Sequence, residues 1–307
     1  VLILAAGLVQ AFRDFDWTAG TIGYVVMRAS QICLWLRAGH ADSDRRPSTR
    51  RYAVGIGLVQ TGWLARLALP HTLGWTLASF ALLAAAELAV PALAERAGRT
   101  AWHPHHIAER YGLFTLILLG ELVAVAVAGV QVELDSTGLT PGLTGVSASS
   151  LVLLLALWWL YFMSPMAEHL ERQRELAFPW GYGHASIFLA LAVLGAGLEL
   201  AVEVSHRNHL HVELVAVGYL ICAPVAVFVI GLWALQAWAA RSPRGWPEVG
   251  LVVAVLLGSP WLALTGFGVA GAVAASAVAA VGLTALVMVR ATAQGRTATD
   301  HEDLVDC

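Results

Sequence analysis

Long apolar segments follow one another along almost the whole 307-residue chain, and this pattern restricts the fold more than any other feature. The apolar residues run continuously within each segment instead of alternating with polar ones, which is typical of membrane-spanning helices and not of barrel strands. A helix satisfies its backbone hydrogen bonds internally, as lipid requires. The sequence therefore predicts an all-α fold, a polytopic transmembrane bundle with about nine full spans and a partial N-terminal helix. The segments are 1–11, 19–38, 51–70, 73–94, 107–130, 145–166, 182–204, 212–240, 247–264 and 266–289.

The composition supports this class and excludes several others. Only 13% of the residues are charged and 58% are hydrophobic, whereas a soluble domain carries roughly 25% charged residues. The net charge of −3 gives no reason to expect a nucleic-acid partner. The three cysteines form neither a disulfide framework nor a paired metal or redox motif. We expect no cofactor.

The first segment, "VLILAAGLVQA", is too short to cross a hydrocarbon core of about 30 Å. We therefore expect the chain to be N-terminally truncated, with residue 1 inside a helix that begins earlier. The remaining organisation is simple: a single transmembrane domain over 1–290 and a polar, disordered cytoplasmic tail over 291–307.

The arginines predict the orientation. If the ten segments alternate, 14 arginines fall on one side and only Arg13 and Arg207 on the other, with Arg28 and Arg66 inside spans. Loops rich in arginine stay in the cytoplasm. The distribution therefore predicts a cell-membrane protein whose C-terminus is cytoplasmic.

Ionisable side chains within the spans are the candidate functional groups, because burying a charge at lipid depth costs roughly 2.5–3.5 kcal/mol. Arg28 and Glu121 lie near the middle of their segments, so we expect them to pair. Such a pair either holds two helices in register or contacts an ion or ligand, and the sequence leaves both roles open. Glu199 and His184 share a later helix. Glu87, close to Pro91, is interpreted as the cap of a local helix break.

Two histidine clusters invite a metal hypothesis, one around His103, His105 and His106 with Glu109, the other at His206, His209 and His211. Pro104 interrupts the first cluster, the second is a polar loop, and the two fall on opposite sides of the membrane. We therefore predict no metal site. The stretch "LWWLYF", which contains Tyr161, is interpreted as an interfacial aromatic belt, with a ligand-stacking wall as the alternative.

Several of these stretches resemble the bacterial low temperature requirement protein A family. They are "HHIAERYGLFTLILLGELV", "GYVVMRASQICLWLRAG", "LWWLYF" and "YGHASIFLALAVLGAGLELAVE", in the family's order over about residues 1–240. The resemblance implies a polar signature at matching positions. These positions are Arg28, His106, Glu109, Arg110, Glu121, His184 and Glu199.

The chain departs from the family pattern in two places. Met163 stands where the family usually has an aspartate, so a mechanism that needs this carboxylate is in doubt unless Glu168 replaces it. The family also begins with two further helices that this chain lacks, which agrees with the expected truncation. The resemblance therefore implies no particular reaction or substrate for this chain.

Three functions remain open. The first is transport of a small ion or solute through a polar site, with Glu121 and Glu199 as relays and His184 as an inner gate. The second is a membrane-embedded enzyme that acts on a lipid or isoprenoid by acid chemistry, with Tyr161 among the ring faces that stabilise a cation. The third is a non-catalytic component supporting growth in the cold. Transport ranks first and an enzyme is not favoured. The expected partners are membrane lipids and a small ion or solute, with oligomers left open.

Overall fold

The computed structural model describes residues 3–4, 7, 11, 14–70, 72–98, 100, 102–135, 140–163, 166–206, 213–239 and 245–305. Over these residues the regular structure is entirely helical, which confirms the predicted all-α class. The predicted partial helix 1–11 lies mostly outside the described residues. By its internal contacts the chain divides into two compact units, Val1–Trp102 and His103–Cys307.

The described part of the first unit contains three long helices. They are α1 (Thr18–Ala41), α2 (Arg46–Arg66) and α3 (Leu73–Ala94), and a 3₁₀ turn, Glu95–Ala97, follows α3. Helix α1 packs against α2, and α2 packs against α3. A small apolar core joins them, with Tyr52, Ile56 and Val90 at its centre. Trp35 stacks on Tyr52, with ring centroids 4.0 Å apart, and this contact fixes α1 against α2.

Helix α3 contains a proline in its interior. Pro91 has no N–H, so the carbonyl of Glu87, four residues earlier, loses the donor that it would have in an uninterrupted helix. The helix nevertheless continues through this point to Ala94. Glu87 is therefore a helical residue whose side chain is available to other helices, and it is not the end of a broken segment.

The second unit contains seven helices. They are α4 (Pro104–Asp135), α5 (Pro141–Phe162), α6 (Met166–Arg172), α7 (Ala177–His206), α8 (Leu214–Ala239), α9 (Trp246–Gly258) and α10 (Gly268–Val305). The most extensive contacts join α7 to α8 and α5 to α10, with α4 packed against both α5 and α7. Leu157, Ile187 and Phe228 are completely or almost completely buried in the resulting core.

Helices α7 and α8 approach one another closely at Gly197. A Cβ atom built on Gly197 would lie 2.5 Å from the backbone oxygen of Leu220. That carbonyl lacks its usual intrahelical donor, because Pro224 occupies the position four residues later. Glycine thus allows the backbone of α7 to cover a carbonyl that proline leaves exposed in α8.

Within the described residues, seven helical segments are long and apolar enough to span a membrane. They are Leu73–Ala97, Pro104–Ala128, Pro141–Arg172, Ala177–Ser205, Leu214–Ala239, Trp246–Leu264 and Gly268–Arg290. They correspond to the last seven predicted spans. The predicted number of nine is not confirmed, because α1 and α2 do not qualify although both are long enough. Their arginines explain the difference: α1 contains Arg28 and Arg37, and α2 contains four arginines, including Arg66.

The predicted tail begins inside a helix. The backbone of α10 continues through residue 291 as far as Val305, where the sequence predicted disorder. The single domain over 1–290 stays a prediction, because a division by contacts does not establish which parts fold independently.

Candidate functional site

The first unit contains a closed polar network centred on Glu87. Arg28 forms an ion pair with Oε2 of Glu87, while Oε1 accepts hydrogen bonds from the Tyr24 hydroxyl at 2.9 Å and the Gln60 amide at 2.7 Å. The Arg28 guanidinium also donates to the Tyr24 hydroxyl at 2.9 Å and to Oε1 of Gln31 at 2.6 Å. The network therefore connects all three helices of the unit.

This arrangement corrects two expectations. The sequence predicted Glu121 as the partner of Arg28, whereas the structure has Glu87 in that role. Glu87 was interpreted as a local cap, yet its carboxylate binds side chains from α1 and α2. Arg28 and Glu87 contact one another directly, so the general expectation that buried ions turn toward one another is right for this pair.

A cavity of about 480 Å³ lies beside the network. Tyr24, Arg28 and Glu87 form part of its wall, together with Trp63, Arg66 and Phe80. A volume of this size is within the range of about 300–1,000 Å³ that small-molecule sites occupy. Most of the remaining wall is apolar, so the charged groups are concentrated at a few positions.

The second unit brings together two predicted site residues, Tyr161 and His184. The Tyr161 hydroxyl lies 3.1 Å from Nε2 of His184, and Nδ1 lies 2.8 Å from the carbonyl oxygen of Trp180. A carbonyl oxygen only accepts, so Nδ1 carries a hydrogen and the neutral ring accepts at Nε2 from Tyr161. His184 is 1% exposed and lies among aromatic rings, including that of Tyr111 at 4.9 Å.

The other predicted residues belong to neither of these two clusters. His106 and Glu109 form an exposed contact of 3.3 Å on the first turns of α4, and Arg110 is also exposed. Glu121 and Glu199 are exposed on α4 and α7, and neither forms a hydrogen bond or ion pair within the described part of the chain. Their roles as ion or substrate ligands stay predictions.

The histidines near the start of α4 are close to one another. The ring of His103 lies 5.7 Å from that of His105 and 5.0 Å from that of His106. Over the residues that were placed, however, no group of three His, Cys, Asp or Glu side chains could hold a metal ion. His209 and His211 of the second cluster lie outside the described residues.

Comparison with known proteins identifies the family. The model of a family described as bacterial low temperature requirement A protein (LtrA) matches residues 1–291. The chain belongs to this family. No curated protein and no solved structure matches it. The resemblance inferred from the sequence motifs is thus confirmed, and together with the seven apolar helices it establishes this LtrA protein as a multi-pass membrane protein.

The position at which the sequence resemblance implied a departure from the family pattern lies at the end of α5. Met163 follows the last residue of that helix and is partly buried. Glu168, the suggested substitute for the missing aspartate, is exposed and lies 3.8 Å from Arg172 in the same short helix. It therefore has a partner of its own on α6.

Sequence reasoning missed Tyr24, Gln60 and Arg66 as site residues. Tyr24 precedes Arg28 by four positions, so one helical turn places both on the same face of α1. Gln60 is a polar residue within the apolar stretch "GIGLVQTGWLA". These two signals were present in the sequence, but only the structure joins them to Glu87.

Proposed function

We propose that this LtrA protein transports a small solute across the cell membrane and that the cavity between α1, α2 and α3 is its solute site. The observation that supports the proposal is the Arg28–Glu87 ion pair in the wall of a cavity large enough for a small molecule. Glu87 lies on α3, a helix that is long and apolar enough to span a membrane, and ionisable groups within such helices commonly mark pathways for ions and substrates. In this proposal the C-terminus is cytoplasmic, as the arginine distribution predicts.

Within this cavity the geometry favours solute binding over acid chemistry. A general acid must present an O–H to its substrate. Both oxygens of Glu87 instead accept hydrogen bonds, from Arg28 on one side and from Tyr24 and Gln60 on the other. This arrangement positions a charge pair and does not offer a proton. The third alternative, a non-catalytic component, is separated from transport by the flux experiment below.

The test is a flux measurement with purified protein in liposomes. The probes are a proton gradient, inorganic phosphate, and naphthalene-2-sulfonate, which stays charged at any working pH. We expect the protein to accelerate entry of at least one probe, and we expect Glu87→Gln and Arg28→Gln each to reduce that rate at least about tenfold. Arg45→Gln is the matched control, because Arg45 and Asp42 form an exposed ion pair after α1.

Two results would contradict the proposal. One is a rate equal to that of protein-free liposomes for all three probes. The other is a rate that the Glu87 and Arg28 variants leave unchanged. If the Glu87→Gln and Arg28→Gln genes nevertheless restored growth in the cold in full, the non-catalytic alternative would be favoured.

A further inference from the structure

The cavity wall contains a second arginine with different surroundings. Arg66 is the last residue of α2 and is only 6% exposed. Its guanidinium carbon lies 5.0 Å from the ring centroid of Trp17 and 5.7 Å from that of Trp63. Aromatic faces attract a cation without neutralising it. Arg66 is thus held in an aromatic setting at the edge of an apolar cavity.

Arg66 lacks the counter-charge that Arg28 has. Its Nε donates to the Ser79 hydroxyl at 3.1 Å, and among the described residues no carboxylate lies within ion-pair distance of the guanidinium. A guanidinium has five N–H donors, so one hydroxyl satisfies a small part of its capacity. The C-terminal end of a helix favours a cation, but it does not supply an anion that can accept these hydrogen bonds.

The net charge of the cavity wall follows from these contacts. Arg28 and Glu87 neutralise one another, which leaves the positive charge of Arg66 uncompensated within the described wall. Buried charges in proteins are normally paired. An unpaired cation that faces a cavity is therefore a binding group for an anion.

A second donor belongs to the same wall. The indole nitrogen of Trp63 is buried and has no hydrogen-bond partner in the described structure, and the residue is only 8% exposed. Its ring is the one that lies 5.7 Å from the Arg66 guanidinium. The Trp63 ring would lie beside an anion bound to Arg66, and a rotation of this ring would let the indole N–H, which is otherwise left without a partner, donate to that anion.

We propose that Arg66 is the anion-binding group of this cavity and that the ligand is an organic anion with an apolar body. The head is a carboxylate, sulfonate or phosphate, the planar or tetrahedral oxyanions that a guanidinium binds with paired hydrogen bonds. The body lies against Phe80, Ala84 and Leu88, which form apolar parts of the same wall. Identifying this anion as the transported solute rests on the proposed function, whereas its binding at Arg66 does not.

Such an anion can come from two sources, an aromatic solute in the water or a fatty acid in the membrane. We would measure binding by calorimetry with the whole protein in nanodiscs, using naphthalene-2-sulfonate for the first source and decanoate for the second. Their uncharged counterparts, naphthalene-2-sulfonamide and decanamide, report the contribution of the charge. The anion that binds more tightly identifies the source.

The variants separate the anion site from a general effect on the protein. We expect Arg66→Gln to weaken binding of the preferred anion at least about tenfold and to leave binding of its amide unchanged. Trp63→Phe, which keeps the ring but loses the N–H, should weaken it by a smaller factor. Arg50→Gln is the matched control, since Arg50 is an exposed arginine on the same helix. Arg66→Lys retains the charge and should recover part of the affinity.

The inference is overturned if an anion and its amide bind equally, if neither anion binds, or if Arg66→Gln and Arg50→Gln behave alike. Size-exclusion chromatography would show whether Arg66→Gln folds. If it does not, the Arg66→Lys and Trp63→Phe variants replace it, and the inference is overturned if both bind the anion as tightly as Arg50→Gln does. Anion binding without liposome flux would refute the proposed transport and leave the anion site standing.

Discussion

Arg28 on α1 and Glu87 on α3 form an ion pair across a separation of 59 residues in the chain. The side chains of Arg28 and Glu87 are 21% and 9% exposed. Because the Tyr24 hydroxyl and the Gln60 amide bind the same carboxylate, the pair is part of a network that includes all three helices of the first unit. The partner of Arg28 is thus Glu87, which the sequence analysis interpreted as the cap of a local helix break.

The first prediction concerns the stability contributed by this pair. Glu87→Gln removes the negative charge and leaves Arg28 partly buried without a counter-ion. We expect the free energy of unfolding to fall by about 1–3 kcal/mol, since one charge-assisted contact is lost at a site that is not fully dry. Denaturation by SDS in mixed micelles would measure this change.

The double variant Arg28→Gln/Glu87→Gln provides its control. Because both charges are absent, we expect its loss to be smaller than the sum of the two single losses, by about 0.5–3 kcal/mol. Strict additivity of the two single effects would show that the charges do not interact.

The second prediction compares Glu121 with Glu87. Glu121 is exposed on α4 and forms no hydrogen bond or ion pair among the residues described. Glu121→Gln should therefore leave the melting temperature unchanged or raise it, whereas Glu87→Gln lowers it. A loss of stability as large as that of Glu87→Gln would mean that Glu121 has a partner of equal importance. Liposome flux of the same variant tests the predicted relay, because an unchanged rate removes Glu121 from the pathway.

The third prediction concerns the buried pair in the second unit. Tyr161→Phe deletes the hydroxyl that donates to Nε2 of His184. This buried nitrogen is a hydrogen-bond acceptor and is then left without a donor. We expect destabilisation of about 1–3 kcal/mol. Tyr219→Phe is the control, because Tyr219 is 37% exposed.

The same geometry assigns the tautomer of His184. Nitrogen-15 NMR of selectively labelled histidine should show hydrogen on Nδ1 and none on Nε2 at neutral pH, because Nδ1 faces the Trp180 carbonyl. Hydrogen on Nε2 alone would contradict this assignment.

The fourth prediction tests the close approach of α7 and α8. Gly197→Ala places a methyl group 2.5 Å from the Leu220 carbonyl oxygen, so the helices must move apart. We expect a loss of at least about 1 kcal/mol, measured as a lower melting temperature. At Gly120 on α4 the added Cβ meets nothing within 4 Å, so Gly120→Ala should be neutral or stabilise the helix by up to about 1 kcal/mol. Equal effects at the two positions would rule out close packing as the cause.

Much of the fold could be predicted from the sequence, because continuous apolar runs specify lipid-spanning helices by length and composition alone. The seven spans from Leu73 to Arg290 show this. The predicted segments 19–38 and 51–70 are not among the seven, since arginines such as Arg28 and Arg66 reduce their apolar character. The number of membrane spans is therefore hardest to predict where a helix contains arginines.

The site was harder to predict, for a physical reason. Depth in the membrane places Arg28 and Glu121 at similar levels, but depth does not say which helices are neighbours. Glu87 lies on a helix of the same unit as Arg28, and the two form the ion pair. Tyr161 and His184 were each singled out, yet their hydrogen bond depends on how α5 and α7 rotate about their axes, which composition does not determine.

Pro91 gives the network on α3 a mechanical property. The turn between Glu87 and Pro91 has one backbone hydrogen bond fewer than the other turns of the helix, so bending there meets less resistance than elsewhere. Glu87, at the start of this turn, is the residue that Arg28, Tyr24 and Gln60 bind. The Arg28–Glu87 ion pair is therefore attached to α3 at the turn where the helix resists bending least.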